Sequence, residues 1–390
     1  MKIIIPVLFL FFIPLAFAAD TSNRLSAEVL WQLQRVGKPV VSPDGNQVVV
    51  PVTTYPEDGG DAISRLWLLG VDGDIAQRPL TAEEGNASGP VFSPDGSRLA
   101  FIRKIDKEDP PQVFVMPMRG PGEAVRLTDV PTGVSAIKWA GEYIYFVSNV
   151  WPEMSFDEMK EKIEADKESK LSAKVWDEMP YSHWDSWVAA DRQNHLYRVR
   201  ETGGEVEALT LPMGIQLSRA DVDTSDYDVS PDGTTLAFVA NGRDGGVYPD
   251  NDVFVSEIGS GQAKNITEDN SAPDKRPMFS ADGRRLAFSR QHIEGFYADQ
   301  VKLMIHDLRS GSSRMVHEDW DRSAEGLAWA ANSKGLYGAI DDEGTRRVYY
   351  LPLNDKKPSA ITKDTDYGQL SIASNGTVVA LNQSAVYPSR

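Results

Sequence analysis

The sequence has no cysteine among its 390 residues. Disulfides and thiolate metal sites are therefore excluded. Basic charge is also short: 40 Lys and Arg stand against 57 Asp and Glu, a formal net charge of −17. Such a chain supplies no cationic footprint for a phosphate backbone, which argues against a nucleic-acid partner. No long apolar run occurs after residue 19, so no later segment reads as a membrane-spanning helix. There are only five histidines (His183, His195, His292, His306 and His317), and no Gly-x-Ser-x-Gly nucleophile elbow.

What is present begins with the first residues. Lys2 precedes an uncharged stretch from Ile3 to Ala19 that ends in Ala16-Phe17-Ala18-Ala19. A basic start, an apolar middle and small residues at the end form the pattern of a secretory signal peptide, residues 1–19. Pro6 and Pro14 interrupt the run and disfavour an uncleaved spanning helix. The expectation is an exported protein, periplasmic or secreted, cleaved after Ala18 or Ala19 and free of the membrane thereafter.

The rest of the chain is organised by a repeat. Ser42-Pro43-Asp44-Gly45 recurs as Ser93-Pro94-Asp95-Gly96, Ser230-Pro231-Asp232-Gly233 and Ser280-Ala281-Asp282-Gly283. Weaker copies stand at Ala331-Asn332-Ser333-Lys334-Gly335 and Ala373-Ser374-Asn375-Gly376. Successive Asp positions of the four stronger copies lie 51, 137 and 50 residues apart. The long interval is two periods once residues 151–187 are set aside as an insertion. Each motif is a tight turn: Pro presets φ, Asp bonds the backbone locally and Gly takes a positive φ.

After each turn comes a short apolar run, such as Leu99-Ala100-Phe101, Leu236-Ala237-Phe238 or Leu286-Ala287-Phe288. Continuous apolar runs of this length are what strands covered on both faces look like. A third strand follows about twenty residues on, and a fourth ends in Leu-Thr or a relative, as at Leu80-Thr81 and Leu127-Thr128. Four strands per unit of this length is the signature of a propeller blade. Seven starts, near Val40, Val91, Ala136, Tyr227, Arg276, Glu325 and Gln369, give the expected fold: an all-β, seven-bladed β-propeller over residues 39–390. Its last blade reads as truncated, because only two strands precede Arg390.

Two segments fall outside the repeat. Residues 20–38 read as a short N-terminal helix, with Leu25, Val29, Leu33 and Val36 on one face. The insertion, in blade 3, also begins as a helix, since Ser155 and Glu158 make a capping box. Pro180 ends it and Tyr181-Ser182-His183-Trp184-Asp185-Ser186-Trp187 follows.

Together the export signal, the helix, the Ser-Pro-Asp-Gly blades and the insertion with His183-Trp184-Asp185-Ser186-Trp187 resemble the prolyl oligopeptidase family of serine peptidases. The resemblance is to its acylaminoacyl-peptidase and dipeptidyl-peptidase-like bacterial branch, and it covers residues 22–390. It implies that the propeller is a non-catalytic half, gating an α/β-hydrolase domain that cleaves short peptides. The catalytic half is absent from this sequence, so no catalytic residue is assigned and the chain alone is expected to be inactive. A stand-alone, TolB-like periplasmic propeller acting as a binding or scaffold module is the alternative.

Candidate site residues come from the insertion. Trp184 and Trp187, with His183 and Asp185, are placed to line an inner rim, the carboxylate pairing with a peptide's amino end. The competing structural role has the two Trp burying the returning insertion against its blade. No cofactor is expected. No metal is expected either: Asp44, Asp95, Asp232 and Asp282 offer one carboxylate per turn without a shared bidentate Glu. Oligomeric state is left open.

Overall fold

The computed structural model describes residues 26–56, 59–170, 181–184, 186–188, 191–241, 251–354 and 356–390. Six antiparallel sheets follow one another along the chain, each with consecutive strands side by side. They are blades 1 to 6, over residues 35–79, 86–126, 135–208, 227–265, 274–316 and 328–360. In blade 1 the innermost position is shared by Arg35–Val36 and Val40–Val41, both paired with Gln47–Thr54.

The expected count of seven blades is corrected to six. The seventh start forms a two-stranded sheet, Asp366–Ile372 with Val378–Gln383. A turn motif marks the joint between a first and a second strand, so counting turns counts hairpins, not completed sheets. This hairpin is nevertheless seated in the ring. On one side Ala373 and Val379 pack with Val41, Val48, Val50 and Val52 of blade 1. On the other, Leu370 and Ala380 pack with Ala339 and Val348 of blade 6. The Val41 backbone N–H donates to Ser371 Oγ at 3.0 Å, and Asn375 Nδ2 donates to the Asp44 carbonyl at 2.7 Å.

The second strands are buried on both faces, as their composition requires. Leu99, Phe101, Leu236, Phe238, Leu286 and Phe288 are all 0% exposed. The turn motif works through its side chains. Ser42 Oγ donates to Asp44 Oδ1 at 2.6 Å, Asp44 Oδ1 accepts the Asn46 N–H, and Ser42 Oγ accepts the Gln47 N–H. The same Ser-to-Asp bond recurs at Ser93, Ser230 and Ser280. These donors hold the Asp44, Asp95 and Asp232 carboxylates below their ordinary range.

The Leu-Thr signal has a separate cause. In every blade but the fifth the outer strand is only two residues long, and a Thr hydroxyl then replaces it as the acceptor for the third strand. Thr81 accepts the Leu66 N–H, Thr128 that of Val113, Thr210 that of Leu196, Thr267 that of Val253 and Thr362 that of Val348. An otherwise orphaned buried donor is thereby satisfied.

The two non-repeating segments differ from their sequence reading in extent. Helix α1 covers only Ala27–Gln32, capped by Ser26. Arg35–Val36 is strand, not helix, because pairing with Thr53 and Val52 satisfies its backbone. Residues up to 25, with the 1–19 segment, lie outside the described residues. Helix α2, Phe156–Glu168, has the capping box in place. Among the described residues no helix is long and apolar enough to cross a membrane.

Candidate functional site

The innermost strands carry a recurrent irregularity that builds the site. Their pairing slips between Ser88 and Val91, Ser135 and Lys138, Lys275 and Met278, and Gly368 and Ser371. At each slip one residue takes a positive φ: Gly89 (56°), Ala136 (50°), Arg276 (58°) and Gln369 (54°), with Gly326 (54°) matching them in blade 6. Such bulges re-aim a side chain and tend to stand beside functional sites. Glycine accepts this conformation without strain, whereas arginine does not.

Arg276 and Gln369 line a cavity of about 1350 Å³, together with Lys38. Lys38 stands between the two innermost segments of blade 1, six residues before Asp44, as Arg276 stands six before Asp282. The cavity also takes in Glu343 and Gly344, the turn between the second and third strands of blade 6. It therefore opens on the face of the second-to-third-strand connections, opposite the Ser-Pro-Asp-Gly turns.

One wall is a charge network on blade 6. Arg346 grips Asp341 with two bonds, 2.7 Å from Nε and 3.1 Å from Nη2. Asp342 is 8% exposed and accepts from Tyr349 Oη at 2.6 Å, Arg322 Nε at 2.9 Å and Arg347 Nη1 at 2.8 Å. The Tyr349 hydroxyl first, then Arg322, hold its carboxyl below the usual range. These carboxylates are neutralised within the wall. Lys38 and Arg276, by contrast, make no hydrogen bond or ion pair among the described residues. Confinement in the channel pushes the Lys38 ammonium down, Lys138 adds to this, and Asp223 opposes it.

Those residues singled out from the sequence that the structure describes lie elsewhere. Tyr181–His183 and Ser186–Val188 pair as a hairpin, with Ser182 opposite Trp187. Trp184, at its tip, has φ 53° and is 88% exposed; Trp187 is 70% exposed. The two Trp therefore do not bury the insertion. That task falls to α2, whose Met159 is 1% exposed in the core of blade 3 beside Trp151 and Phe156. Asp185 lies outside the described residues, as does the His183 side chain. His195, by contrast, is fully packed, with Nδ1 3.0 Å from Thr210 Oγ1 and Nε2 3.0 Å from Gln193 Oε1. Burial pushes it down to about 4. Among the described residues no three His, Asp or Glu side chains gather as a metal site.

Sequence reasoning missed Lys38, Arg276 and Gln369. A signal existed: each stands six residues before the Asp or Asn of a turn motif, where blades 2 and 6 carry Gly89 and Gly326 and blade 4 carries Asp226.

The fold is one already seen in peptidases. Acylaminoacyl peptidase from Pyrococcus horikoshii superposes with a TM-score of 0.65 at 15% identity, over 91% of this chain and 50% of that one. The β-propeller domain of the trilobed protease from Pyrococcus furiosus, described as having an open velcro topology, superposes with a TM-score of 0.61 at 13% identity, over 91% of both chains. In sequence, the chain is homologous to dipeptidyl-peptidase 5. It is 26% identical to that of Porphyromonas gingivalis over 388 residues, 95% of this chain and 54% of that protein. The Trichophyton schoenleinii protein is 26% identical over 384 residues, 90% of this chain and 51% of that protein. The chain spans about half the length of the curated relatives it matches, and these findings bear out its resemblance to the propeller half of such peptidases. No protein-family model matches the chain.

Proposed function

We propose that this chain is the non-catalytic, substrate-gating propeller of an exported serine peptidase that acts on short peptides. The observation that carries this reading is homology to dipeptidyl-peptidase 5 along a chain that holds no Gly-x-Ser-x-Gly elbow. The ring admits only flexible chains to whatever lies over its cavity, and its rim helps place them. Hydrolysis itself follows serine-triad logic in a separate domain. Export rests on the signal-like residues 1–19.

The test is the mass of the native product in cells of the source organism, by immunoblot against the propeller. A band tens of kDa above the 43.0 kDa of this chain, labelled by a fluorophosphonate probe, is expected. A band at or just below 43.0 kDa with no label would overturn the reading and favour a stand-alone binding module.

A further inference from the structure

The cavity contains donors with no hydrogen-bond acceptor among the described residues. Arg276 holds a left-handed conformation, φ 58°, that a non-glycine residue adopts at a cost. The equivalent places in blades 2 and 6 are glycine, Gly89 and Gly326, so the fold itself does not demand a side chain there. Directly beside the bulge, Ser289 pairs across the sheet with Lys275. Ser289 lines the same cavity and is 6% exposed, yet its buried hydroxyl has no hydrogen-bond partner among the described residues. A buried polar group left in this state calls for an explanation, and a bound anion supplies one. Lys38 lines the same space from blade 1, with Asp223 acting on it electrostatically but no ion pair among the described residues.

The carboxylates of the blade 6 wall are engaged by other arginines and not by this cluster. Asp341 and Asp342 are taken by Arg346, Arg322 and Arg347, and Glu343 by Arg347. Asp366 and Asp223 accept the backbone N–H groups of Arg346 and Ser225 but keep their charge; Asp223 attracts Lys38, and Asp226 attracts Arg276. Glu325 also lines the cavity, on the blade 6 side.

We propose that Arg276 and Ser289, with Lys38 facing them, form an anion subsite that takes the terminal carboxylate of a short peptide. Guanidinium geometry matches a carboxylate with two parallel N–H donors, and the serine hydroxyl adds a third. The subsite deepens the peptidase reading, on which the identity of its ligand as a peptide rests. In that reading it holds the carboxyl end of a peptide inside the ring, so that chain length is measured from that end.

The experiment compares trialanine with trialanine amide, by calorimetry or chemical-shift titration on the whole chain. Both peptides carry the same ammonium, so Glu325 and Asp223 act equally on each. The free acid is expected to bind about tenfold tighter, the effect of one charge-assisted hydrogen-bond set. Arg276→Gly should remove the preference while leaving melting temperature equal or higher, since glycine suits this φ. Ser289→Ala should reduce the preference. Equal binding of acid and amide, no binding of either, or a preference that survives Arg276→Gly would each overturn the subsite. None of these results bears on the mass and labelling of the native product, so the peptidase reading stands or falls separately.

Discussion

Blades 3 and 6 solve the same problem by opposite means. In each, the second and third strands pair along eight residues, Tyr143–Val150 with Gln193–Arg200 and Gly335–Asp342 with Thr345–Pro352. Blade 6 joins its pair with two residues, Glu343 and Gly344. Blade 3 takes residues 151–192 to do so. The long connection is anchored by apolar burial: Met159 enters the blade core, Phe156 packs on Tyr197 with ring centroids 5.7 Å apart, and Arg192 covers the Trp151 ring at 3.9 Å. The short one is anchored by charge, with Asp341, Asp342 and Glu343 held by Arg322, Arg346 and Arg347. A ladder of this length tolerates either connection. Apolar anchoring carries the longer excursion because it needs burial but no fixed register, whereas the ionic cluster needs groups a few residues apart.

The comparison breaks most readily at Met159. Met159→Ala should cost about 3 kcal/mol, because it empties a fully packed site. Chemical denaturation measures this; a loss below about 0.5 kcal/mol would mean that α2 merely rests on the blade. Acid separates the two regions next. His195 is buried neutral in blade 3, pushed down to about 4, while the unfolded chain binds its proton near 6.5. The unfolded state therefore takes up protons first, and stability is lost as pH falls from about 6.5 towards 4. Between pH 7 and 5 that loss is about 2 kcal/mol. Asp342 in blade 6, with its carboxyl lowered, keeps its contribution until pH falls below the ordinary carboxylate range. Asp274 in blade 5, pushed up to about 6 by burial, works against His195 in the same window. The measurement is thus the difference between wild type and His195→Gln in melting temperature at pH 7 and pH 5. An identical pH response in both would refute the assignment.

Asp342→Asn should cost about 1–2 kcal/mol, since two arginines and a tyrosine lose a charged acceptor at a site only partly screened by solvent. High salt should shrink this loss but leave that of Met159→Ala unchanged. The smallest effect is expected at the hairpin tip of blade 3's connection. Trp184→Ser should change stability by less than about 0.5 kcal/mol, because the ring is 88% exposed. A larger loss in thermal melts would show that the tip is packed in solution.

Much of the fold was legible because it repeats. The turn chemistry of Ser93-Pro94-Asp95-Gly96 and the run Leu99-Ala100-Phe101 are local signals, and six blades follow from them. Ser155 and Glu158 likewise revealed the start of α2, since a capping box is complete within four residues. Arg35–Val36 was misread as helix because two residues of strand carry no periodicity of their own. The seventh blade was overcounted because Ser374-Asn375-Gly376 specifies a hairpin and says nothing of further strands. Trp184 and Trp187 drew attention by residue type, while Arg276 stayed hidden in a segment that looked like ordinary strand.

The sequence by itself determined the repeat, the turns, the buried strands and the acidic balance, since each depends on neighbours a few residues apart. Only the tertiary structure decided which side chains share the cavity. Lys38, Arg276, Ser289 and Gln369 come from blade 1, blade 5 and the terminal hairpin. They meet because the ring brings its first strands round to its last, and no local pattern encodes a contact made across that closure.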